Sequence, residues 1–158
     1  AAFARSQLSR LPGIIDATRA NAAALTASLS GVPGLTLPRE PTGRRHVYYR
    51  YPIRLDVPAE QVPAIRRALA AEGVPLGHQD FVLPGMTLFR QRRGYGRGCP
   101  WTCGHADPAR TYDAADYPAA RDARDRTVQP LGLTPPNDAR LMAHYGEAFA
   151  KVMTEVPE

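Results

Sequence analysis

Lysine is almost missing from this chain. Of its 20 basic residues only Lys151 is a lysine and the rest are arginine, so any chemistry that needs a primary amine has one side chain to rest on. Cysteine is scarce too. The two present, Cys99 and Cys103, leave no second pair to complete a four-cysteine zinc site. There is no apolar run of membrane-spanning length and no basic-then-apolar segment at the N-terminus. A soluble, cytoplasmic protein without a membrane partner is therefore expected. No serine–histidine–carboxylate order and no paired-carboxylate pattern stands out.

What is present is arginine in an alanine- and proline-rich background, with a formal net charge of +5. A coding bias produces that pattern as readily as a dedicated polyanion site, and net charge speaks to partners and solubility rather than to fold. A length of 158 residues is one domain by size, enough for a single core but short for a cofactor enzyme with two lobes.

The stretch His46–Gly73 reads most clearly. Val47, Tyr49, Tyr51, Ile53 and Leu55 alternate with His46, Tyr48, Arg50 and Arg54, which predicts a half-buried strand of period two. Pro52 removes a backbone donor, so the strand is expected to be an edge or to bulge. A helix should follow, with Val62, Ile65 and Leu69 at helical spacing, Pro63 in its first turn and Gly73 as its left-handed C-cap. This unit reads as scaffold.

Upstream, Phe3, Leu8 and Leu11 leave a weak helical trace that Pro12–Gly13 should kink or interrupt. Ile15, Thr18, Ala22, Leu25 and Leu29 carry it on to Ser30–Gly31. A short strand is expected at Leu35–Leu37, another at Val74–Leu76, and a last one at Thr127–Leu131. Between them Gly77–Pro108 holds repeated glycine and proline without a period; a loop of that length inside a compact domain is functional or disordered. Asn137 should cap a final helix striped by Leu141, Tyr145, Ala148 and Val152. The order implies an α+β fold, a small antiparallel or mixed sheet with helices packed on one face.

Cys99, Cys103 and His105 offer two thiols and an imidazole, with metal binding, a redox role and plain reduced cysteines all open; a thioredoxin motif needs two residues between its cysteines, and here there are three. Arg90–Arg97 resembles an arginine–glycine nucleic-acid segment but is a single copy, and a solvated basic loop near phosphate groups of a small ligand suits it better. No nucleic-acid partner is expected. Gly94–Tyr95–Gly96 lacks the strand and helix of a dinucleotide fingerprint. Among the histidines, His46 and His144 suit packing or surface, whereas His78 opens the long loop and is the candidate for a place near a ligand.

Taken in order, several stretches are similar to one family. Ala1–Ala2 with Gln7–Leu8 and Leu11, then Ile15, Arg19, Asn21 and Ala22, resemble an interdomain helix. His46–Arg54 resembles the strand that follows it, and Leu69–Pro75 the helix end with its Glu–Gly turn. Leu88–Phe89, Cys99–Pro100, Tyr117–Ala120 and Phe149–Val152 fall in the same order. The chain thus resembles the C-terminal small domain of the DegT/DnrJ/EryC1/StrS family, sugar aminotransferases of fold type I that use pyridoxal 5'-phosphate.

The resemblance implies residues 1–31 as the interdomain-type helix, 32–158 as the small α+β domain, and a cofactor-binding N-terminal domain outside this chain. It implies that the cofactor's lysine lies in that domain, since Lys151 falls at the family's surface lysine, so that this chain alone binds no cofactor and does not catalyse transamination. The intact parent would be a homodimer acting on a keto-sugar, often nucleotide-linked, or a keto-cyclitol, in sugar, antibiotic or cell-surface biosynthesis. His78, Phe81, Arg92, Arg93 and Arg97 would stand nearest its substrate. Gln79–Pro84 and Gln129–Gly132 depart from the family's pattern, which leaves aminotransferase and related dehydratase both open. An interaction domain, or a subunit that completes a partner's active site, is the alternative.

Overall fold

Ala2–Leu29 forms one helix, α1, in which Pro12 is carried without a break. The expected interruption is absent, and Pro12 lies on an exposed stretch of the helix. Burial begins halfway along, at Thr18, Asn21, Ala22, Leu25 and Leu29, the i, i+3, i+4 series that places side chains on one face. The computed structural model describes residues 2–77, 81–94, 96, 98–107 and 109–155. The chain divides into two compact units, residues 1–78 with 126–158, and residues 79–125.

The first unit holds the sheet. Strands β1 (Leu35–Thr36), β2 (Ile53–Leu55), β3 (Leu76–Gly77) and β4 (Thr127–Pro130) lie in the order β1-β2-β4-β3, every pair antiparallel. Leu35 stands opposite Leu55, Ile53 opposite Val128 and Leu76 opposite Pro130. Helices α1, α2 (Val62–Ala71) and α5 (Ala139–Glu155) share one core with these strands, in which Leu25, Ile53, Leu55, Ile65, Leu69, Val128 and Phe149 are buried.

Around Pro52 the structure departs from the alternation of the sequence. Only Ile53–Leu55 pairs as strand, and β2 is interior rather than an edge. Tyr48 adopts φ 51°, which breaks the two-residue period, so Val47 and Tyr49 are exposed while Tyr51 is buried. Pro52 falls just before the paired segment, where its missing N–H costs no ladder bond.

Two helix ends show how local chemistry fixes the packing. At the end of α2, Gly73 at φ 82° lets the Gly73 N–H reach Ala70 O at 3.1 Å and the Val74 N–H reach Leu69 O at 2.9 Å, a full Schellman closure. At the start of α5 the cap is Asp138 and not Asn137: Asp138 Oδ1 accepts from Arg140 N at 3.0 Å. Asn137 instead donates to Gly132 O at 2.8 Å. A carboxylate at the cap suits the positive helix end better than the neutral amide.

The second unit is built mostly from turns, and among its described residues no strand occurs. A 3-10 turn at Leu83–Gly85 leads into α3 (Thr87–Arg90); a second at Ala114–Asp116 precedes α4 (Pro118–Arg126), whose final residue already belongs to the first unit. Asp113 caps the second turn, accepting from Ala115 N at 2.9 Å. The sequence pattern gave no hint of α4, because Pro118–Arg126 buries none of its residues and carries no apolar period. Phe89, Trp101 and Tyr112 form an aromatic trio, with ring centroids 5.5–5.6 Å apart.

Candidate functional sites

Within the second unit lies a cleft of about 350 Å³, whose lining includes Arg92, Trp101, His105, Asp107, Arg110 and Tyr112. Arg92 has φ 49° and gives a hydrogen bond to Arg110 O, which ties the two ends of the loop together. The Arg110 guanidinium lies 5.8 Å from the Tyr112 ring centroid, a cation–π distance. Asp107 is engaged locally, accepting from Ala109 N at 2.9 Å. The Trp101 Nε1–H is shielded from solvent and has no partner. Two guanidinium groups, an imidazole, one carboxylate and two aromatic walls make this a place for an anion carrying a planar or hydrophobic face.

Of the residues expected near a substrate, the structure brings Arg92 into this cleft. Arg93 and Phe81 are exposed and stand outside its lining, and His78 and Arg97 lie outside the described residues. Cys99 and Cys103 are exposed free thiols; the Cys103 thiol donates to Pro100 O at 3.5 Å. Among the described residues no three His, Cys, Asp or Glu side chains gather as a metal site. Trp101, Arg110 and Tyr112 escaped the sequence reading because no period connects them; the fold of the loop does.

Within the first unit a second cleft, of about 210 Å³, opens between residues 48–51 and 129–134. Gln129 in its wall is 3% exposed; Arg50 Nη1 donates to its Oε1 at 3.3 Å, and its Nε2 has no partner. A buried amide donor left unpaired costs about 1–3 kcal/mol. Tyr51 forms the opposite wall, its hydroxyl 2.7 Å from the Thr26 hydroxyl. Burial pushes the Tyr51 phenol above its ordinary range, which keeps it neutral. The sequence marked residues 46–73 as scaffold only, and this cleft is the part of the stretch it missed.

Three of the residues quoted for the family resemblance, Arg19, Asn21 and His46, help to hold the first unit together. Arg19 reaches across from α1 to Glu40 at 2.8 Å and to His46 O, and Glu40 Oε1 also accepts from His46 N at 2.6 Å. Asn21, buried, donates to Leu133 O at 2.9 Å and to Asn137 O at 2.8 Å. The family's sequence model, described as the DegT/DnrJ/EryC1/StrS aminotransferase family, matches residues 1–102. The chain belongs to the DegT/DnrJ/EryC1/StrS family.

Three solved structures show the same fold. Spr1654 from Streptococcus pneumoniae, described as a sugar aminotransferase and solved in its PMP-form, is 18% identical with a TM-score of 0.75 over 96% of this chain. The aminotransferase TlmJ from Streptoalloteichus hindustanus is 21% identical with a TM-score of 0.70 over 97%. DesV of S. venezuelae, in complex with a ketimine intermediate, is 20% identical with a TM-score of 0.68 over 97%. Among curated proteins none matches significantly. The chain spans about a third of the length of these solved structures, 34–35%.

Pyridoxal phosphate needs a lysine whose amine is free to form an imine. Lys151 does not fit that role. It sits exposed on α5 with Nζ 2.6 Å from Glu72 Oε1, and the hydrogen bond and charge of Glu72 hold its ammonium above the ordinary lysine range. A protonated amine engaged with a carboxylate is a poor nucleophile.

Proposed function

We propose that this chain is the small-domain portion of a pyridoxal-phosphate-dependent aminotransferase that acts on a keto-sugar or keto-cyclitol, and that its arginine loop helps to hold the substrate. The observation that carries this reading is the second unit's cleft, where Arg92 and Arg110 stand beside Trp101 and Tyr112 in a member of the DegT/DnrJ/EryC1/StrS aminotransferase family. Guanidinium groups suit the phosphates of a nucleotide-linked sugar, and the aromatic walls suit the face of a ring. The cofactor's chemistry would be supplied by residues of the longer parent, which we take to be a homodimer in the cytoplasm. The half of α1 that precedes Thr18 supports an interdomain role, since Phe3 and Leu8 are 78% and 65% exposed on it.

The test uses the intact parent. Replacing Arg92 and Arg110 together with alanine should raise KM for the keto-sugar by about tenfold or more, the effect of losing one charge-assisted hydrogen bond, with kcat little changed. An unchanged KM would end the proposal for the loop. Lys151→Ala in the same protein should leave the cofactor's absorbance band intact. The exposed Phe3, Leu8 and Leu11 also support a second reading, an interaction domain that completes a partner's site; a stable complex between the 158-residue chain and a separately expressed large domain would favour it.

A further inference from the structure

The cleft in the first unit is lined from two stretches of chain, residues 48–51 and 129–134. Residues 48–51 all line it, although on a regular strand only alternate residues could share a wall. The device that allows this is Tyr48, whose left-handed backbone is costly for a bulky residue. Its ring centroid lies 4.5 Å from that of His46 and 5.8 Å from that of Tyr51, and its N–H donates to His46 Nδ1 at 2.8 Å. The result is to set Arg50 beside the buried amide of Gln129.

The Arg50–Gln129 bond is long, at 3.3 Å, and joins a full charge to a neutral amide oxygen. Besides Gln129, the described contact of the Arg50 guanidinium is the Tyr49 ring, 5.9 Å from its carbon. The orientation of the carboxamide follows from this bond, since turning it over would set an NH2 against a cation. That orientation strands Nε2 without a partner. An anion in the cleft resolves both defects: it is a stronger acceptor for Arg50 than the amide oxygen is, and it frees Gln129 to turn about its last torsion, which has a broad and shallow profile, and to donate to the same anion. Pro130 and Leu131 add an apolar side to the cleft, suited to the carbon chain of a small ligand.

We propose that this cleft binds the oxyanion of a small ligand, a carboxylate or a phosphate, through the Arg50 guanidinium and the Gln129 carboxamide. The inference does not rest on the aminotransferase reading, because it involves neither the arginine loop nor the cofactor.

The probes are glutarate for a carboxylate and inorganic phosphate for a phosphoryl group, each titrated into the 158-residue chain at constant ionic strength, with chloride as the control anion. Backbone amide NMR shifts at Arg50, Gln129 and Leu131 should move saturably with at least one probe and not with chloride. Arg50→Gln should weaken that binding at least tenfold, with Arg50→Lys restoring part of it. Gln129→Leu should weaken it severalfold while leaving the melting temperature unchanged or higher, since it removes a stranded donor. Saturation by only one probe identifies the class of oxyanion. Shifts that stay linear, that chloride reproduces, or that persist in both Arg50→Gln and Gln129→Leu would overturn the proposal.

Discussion

Asn21 satisfies two carbonyls, Leu133 O and Asn137 O, that neighbouring elements leave without a ladder partner. Asn21→Ala would strand them, so we expect a loss of about 2–3 kcal/mol in denaturant unfolding. Gly146 is set by steric contact. A Cβ there would stand 2.5 Å from Ser28 Cβ, where α5 crosses α1. Gly146→Ala should therefore cost about 1–3 kcal/mol through forced separation of the helices. Glu40 gives a pH signature: its hydrogen bond with Arg19, followed by the one from His46 N–H, holds its carboxyl below the ordinary value of 4.5. A carboxyl lowered in the folded state adds stability above its unfolded pKa, and that stability is lost as pH falls through the folded one. The difference in melting temperature between the native chain and Glu40→Gln should be full at neutral pH, shrink as pH falls past 4.5, and close in stronger acid. Of these three, Asn21 is visible in the sequence through the family's motif, whereas Gly146 looks like any helix glycine until α1 lies against it.

Helix ends obey local rules more faithfully than the strand pattern does. Gly73 was legible as a C-cap because only glycine takes φ 82° without strain. Gly73→Ala should cost about 1 kcal/mol, read from the midpoint of urea unfolding. The end of α2 is further tied to α5 by His144 Nε2, 3.0 Å from Glu72 O, and by Lys151 on the Glu72 carboxylate, a cation placed where the helix dipole is negative. β2 was misread over its first half for a tertiary reason. Residues 46–52 alternate in the sequence, but strand pairing depends on partners, and the registers of β1 and β4 cover only Ile53–Leu55. With no ladder to enforce the period, the Tyr48 backbone is free to turn over.

At the scale of the molecule, the two units differ in what holds them. The first has a sheet and a shared core from three helices; among the described residues of the second, Val82 is the buried apolar side chain, and an exposed set of turns surrounds the aromatic trio. Units with few buried apolar groups open at lower free energy. Trp101 is the chain's single tryptophan, so its fluorescence reports the second unit alone. We expect the fluorescence transition to occur at lower denaturant than the far-UV circular dichroism transition, which α1 and α5 dominate. Coincident transitions would show one cooperative unit instead.

The sequence by itself determined the class of fold, the register of buried residues on α1 and α5, the cap of α2, and the family, because periodicity, glycine and short ordered motifs are local signals. It also limited the amine chemistry, since one lysine is all there is. The tertiary structure alone decided which arginines meet aromatic walls, why Lys151 is spent on Glu72, and that Arg50 stands against a half-satisfied Gln129. The last two of those pairings join residues far apart in the chain, where no spacing rule applies and only the packing of the surrounding elements sets the distance.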